Sequence, residues 1–480
     1  MISIFSVLLI LMYIYIFVII LLMLLDNRDA QSTLAWIFIF LLFPVLGVIV
    51  YIFIGRNWRR VSKKKRFMNQ FISRSLTQNI QHLIRKQKKE MQKIDDSALK
   101  KKTLNLLKRN SQSLLVTCNR LEILQNGAEK FPRLFRDIMH AKCFIHMEYY
   151  IWKDDPLTRE IKDLLKEKAK EGVEVRIVYD ALGSFWLPEK YKKELRKEGI
   201  QIYPYFNFLA PLRWHTLNYR NHRKLVVIDG DIGYTGGMNL SDEYIHGGKR
   251  FRMIRDTHMR LTGQATTALQ SVFATSWYNT TKENLFSEKY FPKIRQKRGI
   301  PVQLTTSGPD SEWDSIKQLF MAMITNAQDK VYIQTPYFVP GKSVYESLKT
   351  AALSGVDVRV MMTGVPDKKI PFWSAFTYFE ELLKAGVRIY QYNKGFLHSK
   401  TINVDSQLCS IGSANLDIRS FKLDYELNTL IYDSRKAKEL ENDFMEDLKH
   451  CKEITYKDYR KIPIHKKLRN SLARLFSPLL

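Results

Sequence analysis

Cysteine is scarce in this chain, and so is negative charge. Four cysteines in 480 residues, at 118, 143, 409 and 451, form no C-x-x-C pair. That spacing excludes a thiolate metal site and a disulfide framework, and it fits a reducing compartment. Acidic side chains number 48 against 76 basic ones, a formal charge of +28. Such an excess implies an anionic partner, and nucleic acid and an anionic membrane surface both qualify.

Charge of either sign is missing altogether from residues 1–25 and again from 33–54. At about 1.5 Å per helical residue each run can span a bilayer core. A signal peptide is the competing reading of the first run, but a basic n-region and a small-x-small cleavage site are both lacking, and the apolar stretch is too long. Pro44 and Gly47 inside the second run are tolerable in a membrane helix. Residues 1–55 are therefore expected to form a two-helix transmembrane hairpin. Residues 56–66 then carry seven basic and no acidic side chains, whereas the link 26–32 carries two Asp and one Arg. The positive-inside rule places residues 56 onward in the cytoplasm, with Trp58 as an interfacial anchor. Residues 67–110 contain no Gly or Pro and read as an exposed helix. Residues 56–110 are thus a basic juxtamembrane linker.

The chain beyond is organised around one pattern written twice. His222, Lys224, Asp229 and Gly236-Gly237-Met238-Asn239 reappear, with every spacing kept, as His398, Lys400, Asp405 and Gly412-Ser413-Ala414-Asn415, 176 residues further on. One fold unit therefore occurs twice. The apolar run 222–228 reads as a strand, which points His222 and Lys224 the same way. A neutral imidazole beside a fixed ammonium suits attack on a phosphodiester: the ring is the nucleophile, and the ammonium stabilises charge building on the oxygens. Asp229 and Asp405 have the opposite parity and sit at strand ends, where they read as supports of the motif rather than bases. The glycines allow close backbone approach, and Asn239 and Asn415 supply amide donors for a phosphate. A displacement at phosphorus needs a nucleophile on one side and an acid on the other. Two facing halves provide both, and no metal or other cofactor is expected.

Each imidazole needs a partner that fixes its tautomer. The candidates lie downstream of each motif: Glu243 and Asp256 after the first, Asp424 and Glu426 after the second. Asp256 follows His222 by 34 residues and Glu426 follows His398 by 28, and this similar separation favours that pair. His215, His246 and His258 read as ordinary surface or core histidines.

The duplicated motif resembles that of the phospholipase D superfamily. Asn27-Arg28-Asp29 between the apolar runs, Glu148-Tyr149-Tyr150-Ile151-Trp152, Ser307-Gly308-Pro309-Asp310 and Thr335-Pro336-Tyr337-Phe338-Val339-Pro340 resemble bacterial cardiolipin synthases in particular. The resemblance implies an α/β fold of two phospholipase D-like lobes with the active site at their interface. It also implies a covalent phosphohistidine intermediate, no metal, His222 as nucleophile, and His398 as acid and then base. Gly-Ser replaces Gly-Gly in the second motif, where the Ser413 hydroxyl is expected to donate to phosphate.

The order of elements repeats as well. A helical pattern through Ile161, Leu164 and Leu165 stops at Gly172 before a strand at 173–178, and Tyr345, Leu348 and Ala352 stop at Gly355 before a strand at 356–360. Second strands follow at 200–203 and 387–390, giving α/β layers. The first lobe is placed at 111–300 and the second at 301–480. An aromatic loop at 207–215, extra to the first lobe, either touches acyl chains or packs into the core. The tail 461–480 mixes Lys and Arg with Leu and Phe as a basic amphipathic helix, lying on a membrane surface or docked on the body.

The leading function is a multi-pass cell-membrane phosphatidyltransferase, catalytic body in the cytoplasm, that condenses two phosphatidylglycerols into cardiolipin and glycerol. Its partners are phosphatidylglycerol and anionic membrane lipids, with no nucleic acid expected. The alternative is a phospholipase D-type hydrolase or headgroup-exchange enzyme. A nuclease is disfavoured by the membrane runs, and a silent scaffold by two complete motifs.

Overall fold

A computed structural model describes residues 4–25, 30–51, 55, 97–118, 120–206, 218–248, 250–294 and 299–477. The basic cluster 56–66 with Trp58, most of the 67–110 linker, the loop 207–215 and Asn27-Arg28-Asp29 lie outside these residues. The chain divides into two compact units: residues 1–63 with 207–219, and residues 64–206 with 220–480.

In the first unit a helix runs Ile4–Leu25, followed by helices Ala30–Leu42 and Pro44–Val50. Ser6–Leu25 is long and apolar enough to cross a membrane, and the apolar helix Ser32–Leu42 is shorter. The uncharged run 33–54, expected as one span, is divided at Phe43, whose backbone is not helical (φ −138°, ψ 67°). Pro44 follows it, and proline disfavours a helical conformation in the residue before it. Ile16, Ile19 and Met23 meet Phe40 and Tyr51 in a small buried cluster, while most other side chains of these helices face outward.

The second unit contains two sheets built to one plan. The first orders its strands Leu121–Gln125, Thr257–Thr262, Ile232–Gly236, Leu225–Ile228, Phe144–Tyr149, Glu174–Tyr179 and Gln201–Pro204. The second contains Asp424–Ile431, Leu408–Gly412, Thr401–Val404, Lys330–Thr335, Asp357–Thr363 and Arg388–Tyr392 in the same sequence. In each, the strand after the motif histidine pairs antiparallel with a central strand (Leu225–Ile228 with Phe144–Tyr149, Thr401–Val404 with Lys330–Thr335), and two parallel strands follow. Leu225–Ile228 and Thr401–Val404 are buried on both faces. The second sheet is extended by Ile300–Ser307 and by Leu115–Cys118, which crosses over from the first half of the chain. The predicted helices form at Pro156–Lys170 and Gly341–Leu353. Of the linker, the described part is the helix Ala98–Asn110, N-capped by Ser97.

One local expectation fails. His222 and Lys224 are not on a strand: their own strand starts at Leu225, and the preceding pair Arg220–Asn221 lies parallel to Asp424–Tyr425 of the other sheet. At the histidine the chain is passing from one sheet to the other, so strand parity does not govern its side chains.

Candidate active site

That passage occurs twice. The His222 N–H donates to the Tyr425 carbonyl at 2.9 Å, and the His398 N–H donates to the Arg255 carbonyl at 2.7 Å. Phe396–Leu397, just before His398, pairs in parallel with Ile254–Arg255, as Arg220–Asn221 pairs with Asp424–Tyr425. Each histidine is thus stitched by its backbone to the residue preceding the other half's acid.

The side chains follow. His222 Nδ1 lies 2.9 Å from Glu426 Oε1, and His398 Nδ1 lies 2.6 Å from Asp256 Oδ2. The sequence expectation paired each histidine with the acid downstream in its own half; the structure crosses the pairs. A carboxylate on Nδ1 fixes the proton there and leaves Nε2 for chemistry. Both rings line one cavity of about 420 Å³, with Asn239 and Asn415. Tyr150 stands edge-on to His222 at 4.8 Å, and Tyr244 stands edge-on to His398 at 6.0 Å with its hydroxyl 3.2 Å from Nδ1.

Lys224 and Lys400 are buried and do not line the cavity. The Lys224 Nζ donates to the His222 carbonyl at 2.5 Å, and Lys400 does the same to the His398 carbonyl. Burial holds the Lys224 ammonium down at about 7 and Lys400 at about 8, against the pull of Glu426 and Asp256. Burial and the lysines push His398 down to about 4 and hold His222 well below its ordinary value, which favours the neutral form of both rings. Burial raises Glu426, with Lys224 opposing it, whereas Lys400 and His398 overcome burial at Asp256 and hold it below the usual carboxylate range.

Asp229 and Asp405, counted with the catalytic motif, stand away from the cavity wall. Each sits at positive φ in a tight turn and accepts three backbone N–H groups: Asp229 from Lys142, Cys143 and Phe144 at 2.7–2.9 Å, Asp405 from Gln328, Asp329 and Lys330 at 2.9 Å. They tie the turn after the motif strand to the start of the central strand.

The glycine-rich turns meet the acids. A Cβ on Gly237 would fall 2.1 Å from Asp256 Oδ1, so that position has room only for glycine. At the equivalent position Ser413 donates its hydroxyl to the Glu426 carboxylate and accepts from the Leu427 N–H at 2.9 Å. The expected Ser413 donor to phosphate is therefore already committed to the acid that holds His222. The Asn239 amide donates to the Tyr244 hydroxyl at 3.1 Å and its oxygen accepts from the Ile151 N–H at 3.2 Å. The Asn415 carboxamide oxygen is buried and has no partner among the described residues.

Several wall residues gave no signal in the sequence: Arg220, Lys368 and Arg419 bring positive charge, and Asp367 and Asp417 bring negative charge. Asp424 adds a further negative charge to the wall. Asp424, weighed as a histidine partner, instead meets Arg419 at 3.1 Å; burial pushes it up to about 7. Glu243 pairs with Lys153. Tyr244 and Ser420 lie equally far after their histidines, but the residue types differ and the repeat hides them. Behind His222, Asn221 is clamped by Glu148 through its amide at 2.6 Å and by Asp180 through its backbone at 2.7 Å. His258 is a buried core histidine, as expected.

Comparison with known proteins gives consistent results. A family model described as "Cardiolipin synthase, PLD-like domain" matches residues 134–277 and 320–448, and one described as "Phospholipase_D-nuclease N-terminal" matches 11–56. The cardiolipin synthase of Geobacillus kaustophilus is 40% identical over 95% of this chain and 90% of its own. The major cardiolipin synthase ClsA of Bacillus subtilis is 40% identical over 95% of each. Among solved structures, a phosphatidylserine synthase of Haemophilus influenzae superposes with a TM-score of 0.58 at 17% identity, covering 79% of this chain and all of that one, a likeness of fold.

Proposed function

The chain belongs to the cardiolipin synthase family of phospholipase D-like proteins, and on that premise we propose that it condenses two phosphatidylglycerols into cardiolipin and glycerol. The observation that carries the chemistry is the pair of crossed imidazole–carboxylate contacts on one cavity.

His222 Nε2 attacks the phosphorus of the first phosphatidylglycerol, the bond to the headgroup glycerol breaks, and His398 gives that glycerol its proton. The phosphatidyl group rests on His222. A headgroup hydroxyl of the second phosphatidylglycerol then attacks phosphorus, its proton passes to His398, and the P–N bond breaks to release cardiolipin. Bonds and protons balance over the two steps, so no nucleotide is consumed. Burial and the lysines favour neutral His398; the anionic phosphodiester adds negative charge and raises the imidazole pKa toward the working range. Lys224 and Lys400 supply positive charge from their buried positions, and the Asn415 side-chain N–H donates to the phosphoryl group. Asp256 and Glu426 hold the tautomers.

The lobes at 111–300 and 301–480 contribute one histidine each. Residues 1–55 cross the membrane as a hairpin, with the catalytic body on the cytoplasmic side; the charge asymmetry around the two apolar runs supports this. The test is to incubate the purified full chain in bilayers with labelled phosphatidylglycerol as sole substrate. Equal yields of cardiolipin and free glycerol are expected; phosphatidic acid as the main product would assign the chain to hydrolysis.

A further inference from the structure

The C-terminal helix Ile464–Arg474 carries its polarity the wrong way round for a helix that only closes a core. Toward the body it buries Asn470 and Ala473, with Ser477 just beyond. Outward it turns Ile464, Leu468, Leu472, Leu475 and Phe476, with Leu468 62% and Leu475 74% exposed. Steps of three and four residues place these side chains on one stripe. A continuous exposed apolar stripe marks an interaction surface.

The helix is firmly held. The Arg469 guanidinium lies 4.4 Å from the Trp373 ring centre and Arg474 lies 4.7 Å from that of Tyr378. The Ser477 and Ser374 hydroxyls share a hydrogen bond of 3.1 Å. Those partners belong to the helix Lys369–Ala375 and the turn Phe376–Tyr378. That same segment starts on the active-site wall, to which Asp367, Lys368 and Pro371 contribute. The first half offers a second apolar border. Leu182 lines the cavity, and its loop presents Phe185 and Trp186, the latter 87% exposed.

We propose that the outward face of the C-terminal helix, with the Phe185–Trp186 loop, is a docking surface for an anionic phospholipid bilayer, and that it sets the cavity mouth at the boundary between headgroups and acyl chains. The occupant follows from charge as well as from apolarity. Lys466 is exposed on the same helix and the chain carries a net charge of +28, the composition of an interfacial helix on an anionic leaflet. The proposal rests on the reaction above, in which donor and acceptor both arrive from a bilayer.

The experiment uses the full chain in nanodiscs of phosphatidylglycerol and a zwitterionic lipid. Cys143→Ser and Cys451→Ser remove accessible thiols, and Leu472→Cys carries an environment-sensitive fluorophore; Lys170→Cys, an exposed polar position, is the reference. Lipid-borne quenchers are expected to quench the label at 472 and leave that at 170 unchanged. A label at 472 that reports water, or that is shielded from lipid while cross-linking to a second copy, overturns the proposal. In parallel, Leu468→Asn with Leu472→Asn is expected to lower cardiolipin synthesis from vesicle phosphatidylglycerol about tenfold. Synthesis from short-chain phosphatidylglycerol dispersed in detergent should hold within about twofold; equal losses on both substrates overturn the proposal. If the unmodified chain makes no cardiolipin from either substrate, the reaction assignment fails while the quenching result still decides the docking surface.

Discussion

His222 Nδ1 lies 2.9 Å from a carboxylate oxygen of Glu426, a residue 204 positions away in the other half of the chain. His398 and Asp256 repeat the contact in reverse. Neither half therefore holds both members of an imidazole–carboxylate pair.

This crossing has a kinetic signature. A phosphodiester with a p-nitrophenolate leaving group needs no acid for its first step, so its burst of nitrophenol reports the nucleophile alone. Glu426→Gln is expected to slow that burst about 10²–10⁴-fold while Asp256→Asn leaves it nearly intact. With phosphatidylglycerol both variants should lose turnover. Pairing within each half would give the opposite pattern in the burst.

A phosphatidyl adduct should be trapped on one imidazole. Acid-labile label from phosphate-labelled phosphatidylglycerol is expected on His222 in rapidly quenched protein and absent from His222→Ala. Peptide mapping that places it on His398 reverses the two roles.

Affinity for a bound phosphodiester should depend on pH through the buried lysines, which burial holds at about 7 for Lys224 and about 8 for Lys400. An anion favours their charged forms, so above these values binding takes up protons. Affinity for a product analogue of fixed single charge, such as glycerophosphoglycerol, is expected to be flat below pH 7 and to fall by up to about tenfold per pH unit per lysine above it. The same lysines act on the fold with the opposite sign. Between those values and the 10.5 of free lysine the unfolded chain binds more protons, so stability rises with pH across that window.

Asp229→Ala and Asp405→Ala should behave as stability variants. Each leaves three backbone N–H groups without their acceptor, which costs about 1–3 kcal/mol or more per site. Denaturant unfolding should show that loss, while turnover per folded molecule at low temperature stays within a few-fold of the unmodified enzyme. A loss of turnover in fully folded protein places these residues in the chemistry instead.

Chelators are expected to leave cardiolipin synthesis unchanged, because in the proposed mechanism the charge at phosphorus is met by lysines and by side-chain N–H donors. Inhibition by a chelator, restored by one divalent ion, overturns that account.

The motif itself was readable because duplication writes the same spacings twice: His222, Lys224 and Asp229 announce His398, Lys400 and Asp405 at one offset. The α/β order was readable because helical and alternating apolar periods differ. The partner of each histidine was not readable. Sequence distance pairs His222 with Asp256, and only the parallel pairing of Arg220–Asn221 with Asp424–Tyr425 delivers Glu426 to it instead. Ser413 looked like a phosphate donor until the fold set it against Glu426. Arg220, Tyr244 and Arg419 could not be found from the repeat, because they differ from their counterparts.

The sequence by itself determined the motif residues proposed for the chemistry and that there are two copies, since the spacing within a motif is local and survives without knowledge of the fold. The tertiary structure decided which copy completes which. That choice depends on contacts between residues 204 and 142 positions apart, and no local spacing encodes it.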